Sequence, residues 1–160
     1  FTKSLFAGLR IGYLLLPPSL VAPMTSARTL QDGHNASIAQ LTLARFMEGG
    51  HYTAHVRAMR ALYAERRDVL AELVHKHLGA FLAPCIPAGG LQMPCHFVQG
   101  LPEEAVVEAA RVVGIDLLGL GSLYASPRND AGLLMGFAAL TPGEMRLAVE
   151  KLAKVFARLK

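Results

Sequence analysis

The chain has 160 residues, 52% of them apolar and 18% charged, with a formal charge of +4 when histidine is neutral. That apolar content excludes disorder, and the length is about one domain's worth, enough to bury a real core. No uninterrupted apolar run reaches the length of a membrane span, because Pro17, Pro18 and Pro23 break the best candidate. The modest positive balance suits solubility or an anionic cofactor as readily as nucleic acid.

The chain opens on Phe1, already inside what reads as a motif, so a fragment of a longer protein is expected. The start lacks a basic region followed by a long apolar one, and no signal peptide is expected. Lys3 stands between Thr2 and Ser4, and Arg10 follows seven positions later at the head of an apolar run. A lysine amine attacks carbonyls when burial or neighbouring cations lower its pKa, and a guanidinium offers a rigid fork of donors to phosphate. An amine and an anion clamp at short range are what a protein holding pyridoxal phosphate requires.

Leu9 to Leu16 reads as a buried strand closed by Pro17-Pro18. Ser19 to Gln31 suits a helix, with Pro23 confined to an early turn. Asp32-Gly33-His34-Asn35 is a break, and Asn35 a candidate N-cap for a helix whose apolar face is Ile38, Leu41, Ala44 or Arg45, and Met47. Gly49-Gly50 releases the chain into a long helix, about His51 to Leu78, with Gly79 as its stop. Val56, Met59, Tyr63, Leu70, Leu73 and Val74 keep helical spacing there. Arg66 falls inside that seam, so it should be paired or should face an anionic neighbour.

After the helix the period changes. Phe81 to Ile86 and Leu91 to Val98 read as strands about the turn Pro87-Ala88-Gly89-Gly90, and Pro94 points to an edge or a bulge. Cys85 and Cys95 flank this turn and could face each other; as a lone pair they are expected to be reduced. Pro102-Glu103-Glu104 opens a helix that Gly114 ends. Ile115 to Leu120 and Leu133 to Ala139 are further strands, separated by the polar loop Gly121 to Gly132. Thr141 and Glu144 form a capping box for a last helix bearing Met145, Ala148, Val149, Leu152, Val155 and Phe156 on one side. This order predicts an α/β sandwich, a small sheet with helices on one face.

His51 and His55 lie four apart on the long helix, a spacing that could serve a metal, but no third ligand lies by and none is expected. His75 and His77 diverge on the same helix. Arg57, Arg60, Arg66 and Arg67 are interrupted by Glu65 and Asp68 and lack an aromatic platform, so a solvated or interface face is expected rather than a nucleic-acid surface.

The segment Thr2-Lys3-Ser4-Leu5-Phe6-Ala7-Gly8-Leu9-Arg10-Ile11-Gly12-Tyr13 resembles the lysine segment of fold-type I pyridoxal-phosphate enzymes, the aspartate aminotransferase superfamily. Gly50-His51-Tyr52, His55-Val56-Arg57, Met59-Arg60 and Tyr63 to Asp68 resemble the MocR branch, and the likeness runs on to Leu134 through Leu140. Proteins of that branch join a GntR-type winged-helix DNA-binding domain to an aminotransferase-like domain. The resemblance implies that residues 1–50 end a large pyridoxal-phosphate-binding domain and that 51–160 form an interdomain helix and a small C-terminal domain. It implies Lys3 as the Schiff-base lysine and Arg10 as the phosphate clamp. It also implies a cytoplasmic homodimer that senses a small amine or amino acid and binds DNA through an N-terminal domain upstream of this chain. Residues that complete the cofactor pocket would also lie upstream, so the 160-residue piece alone is expected to be inactive and not to hold the cofactor stoichiometrically. Many aminotransferases carry a substrate-binding arginine three residues before the phenylalanine of the last strand; here that position is Leu134, and Arg128 is the remaining weak candidate. The alternative reading is a fragment of a working aminotransferase that transfers an amino group to a 2-oxo acid.

Overall fold

The computed structural model describes residues 1–33, 35–126 and 130–159. The chain divides into two compact units, Phe1–Ala58 and Met59–Lys160. Among the described residues no helix is long and apolar enough to cross a membrane.

In the first unit a single-turn 3-10 helix, Ala7–Leu9, precedes α1 (Pro18–Asp32) and α2 (Ser37–Glu48), and α3 (His51–Leu78) begins there. The expected strand from Leu9 to Leu16 does not form: residues 11–17 adopt neither helix nor strand. An apolar run becomes a strand only when neighbours take up its N–H and C=O groups, and among the described residues no strand runs beside it. Pro23 lies well inside α1 rather than in its first turn, and having no N–H it cannot make the helical bond from residue 23 to the Ser19 carbonyl. Asn35 is not a cap either. Ala36 holds the N-cap position of α2 without a side-chain bond, and the Asn35 Oδ1 instead accepts from Arg28. The face expected to be buried on α2 is largely open, with Ile38 80% and Leu41 66% exposed, while Leu43 is buried.

The second unit is the predicted sandwich. A four-stranded antiparallel sheet, β1 (Leu82–Pro84), β2 (Gln92–Phe97), β3 (Leu118–Gly119) and β4 (Gly132–Gly136), is ordered β1-β2-β4-β3. Leu82, Met93, Cys95, Leu133 and Met135 carry one face into a core completed by Leu70, Val74 and Leu78 of α3. Val106 and Ala110 of α4 (Glu103–Val112) and Met145, Val149, Leu152 and Phe156 of α5 (Pro142–Leu159) close it. The end of α3 falls where expected: a Cβ on Gly79 would lie 2.5 Å from the His75 carbonyl oxygen, so only glycine fits there.

Pro94 corrects the expectation of an edge. It sits in β2, which is flanked on both sides, opposite Leu134 of β4. The Pro94 carbonyl accepts from the Cys85 N–H at 2.8 Å, so the side of Pro94 that lacks a donor faces Cys85, one residue past the end of β1, and the ladder to β4 is left intact. The same register, Pro84 opposite Cys95, sends Cys85 and Cys95 to opposite faces rather than toward each other. Cys95 is fully buried and Cys85 exposed, and burial, with a smaller contribution from Cys85, pushes the Cys95 thiol up to about 12.

The capping box forms as read: Glu144 accepts from the Thr141 N–H at 2.8 Å and its hydroxyl at 2.7 Å, and returns its own N–H to Thr141 at 3.4 Å. These bonds, the backbone one first, hold the Glu144 carboxyl below its ordinary value. The cap therefore acts above the ordinary carboxylate pKa and is lost as pH falls through the lowered one.

Glu103 does more than complement a helix dipole. Its carboxylate accepts from the Gly121 N–H at 3.0 and 3.1 Å and from the Gly132 N–H at 2.9 Å, tying the loop after β3 to the start of β4. A Cβ at Gly119 would stand 2.1 Å from that carboxylate, so glycine leaves it room. Glu103→Ala is expected to cost about 1–3 kcal/mol, chiefly by stranding the buried Gly132 donor, with Glu103→Gln intermediate. Hydrogen exchange should locate the loss at the Gly121 and Gly132 amides.

Candidate functional site

The first residues fold back on themselves. Ser4 and Leu5 donate to the Phe1 carbonyl at 3.2 and 2.9 Å, and Leu9 donates to Phe6 at 3.3 Å. The 3-10 turn ends on Arg10 with φ 48° and ψ 34°, the left-handed region. Among the described residues Arg10 is the sole non-glycine with positive φ, and that conformation returns the chain so that Phe1 N reaches the Ile11 carbonyl at 3.0 Å.

This path brings Lys3 and Arg10 to the walls of one cleft of about 430 Å³, shared with Thr2, Ser4 and Gly12. Both side chains are exposed. A larger cavity of about 710 Å³ shares Phe1, Arg10, Ile11 and Gly12 and adds Tyr13, Arg28 and Tyr52. Phe1 lies between two aromatic neighbours, with ring centroids 5.7 Å from Tyr13 and 5.6 Å, edge-on, from Tyr52. Lys3 and Arg10 bring to the lining of one open cleft an amine able to condense with a carbonyl and a guanidinium able to bind an anion, with Phe1 beside them.

Two side chains of α3 reach this segment. The Tyr52 hydroxyl donates to Ser4 Oγ at 3.1 Å, and His55 Nε2 donates to the Ser4 carbonyl at 3.0 Å. In the sequence both residues stand in segments that resemble the MocR branch, but no contact with the lysine segment is assigned to either, and His55 is weighed for a role only with His51 as a metal pair. Contacts spanning 48 and 51 positions leave no local signal. His51 packs against the Phe46 ring at 5.5 Å. Among the described residues no group of three His, Cys, Asp or Glu side chains could hold a metal ion.

The other candidates fall elsewhere. Arg128 lies outside the described residues. Leu134 is half-buried within β4, opposite Pro94 and Leu118, and offers nothing to an anion. Arg66 donates to the Ala138 carbonyl and, after the Thr141 bonds, also helps to lower the pKa of Glu144, an anionic neighbour of the kind expected, while its Nε is buried without a partner. Of the basic residues of α3, Arg57 and Arg60 are exposed, whereas Arg67 pairs with Asp68 at 2.7 Å and donates to the Pro87 carbonyl at 3.1 Å.

No protein-family model matches the chain. Its whole length aligns at 30% identity with the probable rhizopine catabolism regulatory protein MocR of Rhizobium meliloti, covering 32% of that protein. It aligns over 99% of its length, at 29% identity, with the HTH-type transcriptional regulator YhdI of Bacillus subtilis, covering 34% of it. The chain thus spans about a third of the length of the curated relatives it matches. Among solved structures, kynurenine aminotransferase of Pyrococcus horikoshii superposes on all of this chain and 40% of its own with a TM-score of 0.90 at 22% identity. The alpha-aminoadipate aminotransferase LysN of Thermus thermophilus superposes on 99% of this chain and 41% of its own, with a TM-score of 0.89 at 19% identity. At such identities the likeness establishes the fold. The chain is a homologue, along its whole length, of MocR and other HTH-type regulators, and it has the α/β fold of the C-terminal part of the fold-type I aminotransferases.

Proposed function

We propose that this chain is the C-terminal part of the aminotransferase-like effector and dimerisation domain of a MocR-type regulator, and that the full-length protein holds pyridoxal phosphate through Lys3 and Arg10. The observation that carries the reading is the open cleft whose lining includes both Lys3 and Arg10. An amine and a guanidinium match the two ends of that cofactor, an aldehyde and a phosphate. The left-handed backbone of Arg10 supports it, because sparsely populated conformations of non-glycine residues concentrate at ligand sites. When bound, the cofactor supplies an electron sink for the carbon beside a substrate amine. This chain's own residues do the rest: Arg10 grips the phosphate, and Lys3 presents its amine to the aldehyde.

On this reading a small amine or amino acid binds the cofactor site, shifts a cytoplasmic homodimer between two arrangements, and so changes the N-terminal DNA-binding arms. The open apolar side chains of the first unit, Leu15 at 93% and Leu30 at 88% exposed among them, are then covered by the remainder of the protein. Leu134 favours sensing over turnover, since it replaces a carboxylate-binding arginine with a side chain that binds no anion.

A second reading, a working aminotransferase, is favoured by alignment with an aromatic-amino-acid aminotransferase of Thermococcus litoralis at 20% identity over 96% of this chain. A winged-helix pattern upstream of Phe1 decides for the regulator, and its absence for the enzyme. The cofactor site itself is tested in full-length protein mixed with pyridoxal phosphate, reduced with borohydride and digested. The adduct should map to the peptide containing Lys3; an adduct confined to other lysines, or none, overturns the assignment.

A further inference from the structure

We propose that Tyr52 and His55 are positioning residues, which clamp Ser4 from the first turns of α3 and thereby fix the backbone that presents Lys3. The inference rests on the cofactor reading above and deepens it.

The geometry is a two-point grip on the residue next to the lysine. A carbonyl only accepts, so the 3.0 Å contact requires a proton on His55 Nε2, donated to the Ser4 oxygen. The Tyr52 hydroxyl donates to Ser4 Oγ at 3.1 Å, and that hydroxyl passes its own proton on to the Phe1 carbonyl at 3.4 Å. Ser4 is thus held at its backbone and its side chain by residues three apart on one helix, which share a face. Phe1, on the other side of Lys3, is packed by the Tyr52 ring. All three gripping and gripped residues, Ser4, Tyr52 and His55, are half-buried, so these bonds are partly shielded from competing water.

Lys3 itself is exposed, and a long exposed side chain on a free loop samples many rotamers. Anchoring the peptide on its C-terminal side removes backbone freedom while leaving the side chain free to reach into the cleft. This matters for bond formation more than for cofactor capture, because attack on an aldehyde needs a set approach whereas a phosphate clamp does not. The engagement of His55 Nε2 also gives this histidine a use that its spacing from His51 does not suggest.

The test uses full-length protein freed of cofactor, with wild type compared to His55→Ala, His55→Gln and Tyr52→Phe. The rate at which a visible covalent band appears after mixing with pyridoxal phosphate is measured beside the equilibrium affinity for 4-deoxypyridoxine phosphate, which keeps the phosphate but has no aldehyde. His55→Ala and Tyr52→Phe should each slow the band roughly tenfold, about one lost hydrogen bond's worth, with affinity for the analogue unchanged. His55→Gln, which keeps an N–H donor, should recover most of the rate. Variants that form the band at the wild-type rate overturn the clamp and leave the cofactor reading intact. A parallel fall in analogue affinity overturns it too, because the residues would then merely hold the site together. A wild type that forms no adduct on Lys3 brings down both.

Discussion

In full-length protein, Lys3→Ala is expected to abolish the covalent cofactor band, and Lys3→Arg to abolish it equally. The paired variants separate charge from chemistry: arginine keeps the positive charge, but its guanidinium stays protonated and has no lone pair to offer an aldehyde. Arg10→Ala should behave differently. It removes charge-assisted hydrogen bonds each worth about 1.5–3 kcal/mol, so affinity should fall roughly ten- to hundredfold while the band still forms at saturating cofactor. Arg10→Gly adds a control available because the backbone there is left-handed, with φ 48°. Glycine adopts that region without a Cβ clash, relieving about 1 kcal/mol, yet brings no fork of donors. The glycine variant should therefore match or exceed the wild type in thermal midpoint while binding the cofactor as poorly as the alanine variant. Absorbance titration and a melting curve read the two quantities separately. A full-strength band in Lys3→Ala, or an Arg10→Ala affinity equal to wild type, would contradict the roles given to these residues.

What the sequence disclosed, and what it withheld, follows the range of the interactions involved. The ends of α3 were legible because Gly49-Gly50 and Gly79 act on their immediate neighbours, and the Thr141–Glu144 cap because both partners lie within one turn. Strands β1, β2 and β4 were legible from composition and a change of period. Pairing was not. The run from Leu9 to Leu16 has the apolar character of a strand, but that character reports an affinity for burial and says nothing of a hydrogen-bonding neighbour. Pro94 misleads for a related reason: which neighbour the donor-less side of a strand faces is fixed by register, which comes from the β1 partner. Lys3 and Arg10 were found by chemistry and resemblance, and the cleft they share depends on a left-handed residue that no propensity assigns to arginine. Tyr52 and His55 reach Ser4 across half a hundred positions, and Glu103 reaches Gly121 and Gly132 across 18 and 29, so neither grip leaves a short-range trace.

Phe156→Ala should be among the most damaging single changes in the second unit. The ring is fully buried, stacked on Phe81 at 5.1 Å with 21° between planes, and meets the edge of Phe97 at 6.3 Å and 67°. Those partners sit at the entry to β1 and the end of β2, so one side chain near the C-terminus of α5 joins the helix to both strands. Truncating a buried phenylalanine costs about 3–5 kcal/mol, the lost transfer energy plus the cavity left behind. Domains of this kind have about 5–15 kcal/mol in hand, so the loss is a large share of the total. Two variants distinguish packing from mere proximity to the chain end. Phe156→Leu keeps most of the volume but loses the aromatic contacts, and should cost roughly 1–2 kcal/mol. Leu159→Ala lies on the same helix with its side chain 36% exposed. Its effect should stay within about 1 kcal/mol, as for surface positions generally. Urea titration with hydrogen exchange read at the β2 and β4 amides measures all three. If Phe156→Ala cost no more than Leu159→Ala, the aromatic cluster would not be what holds α5 to the sheet.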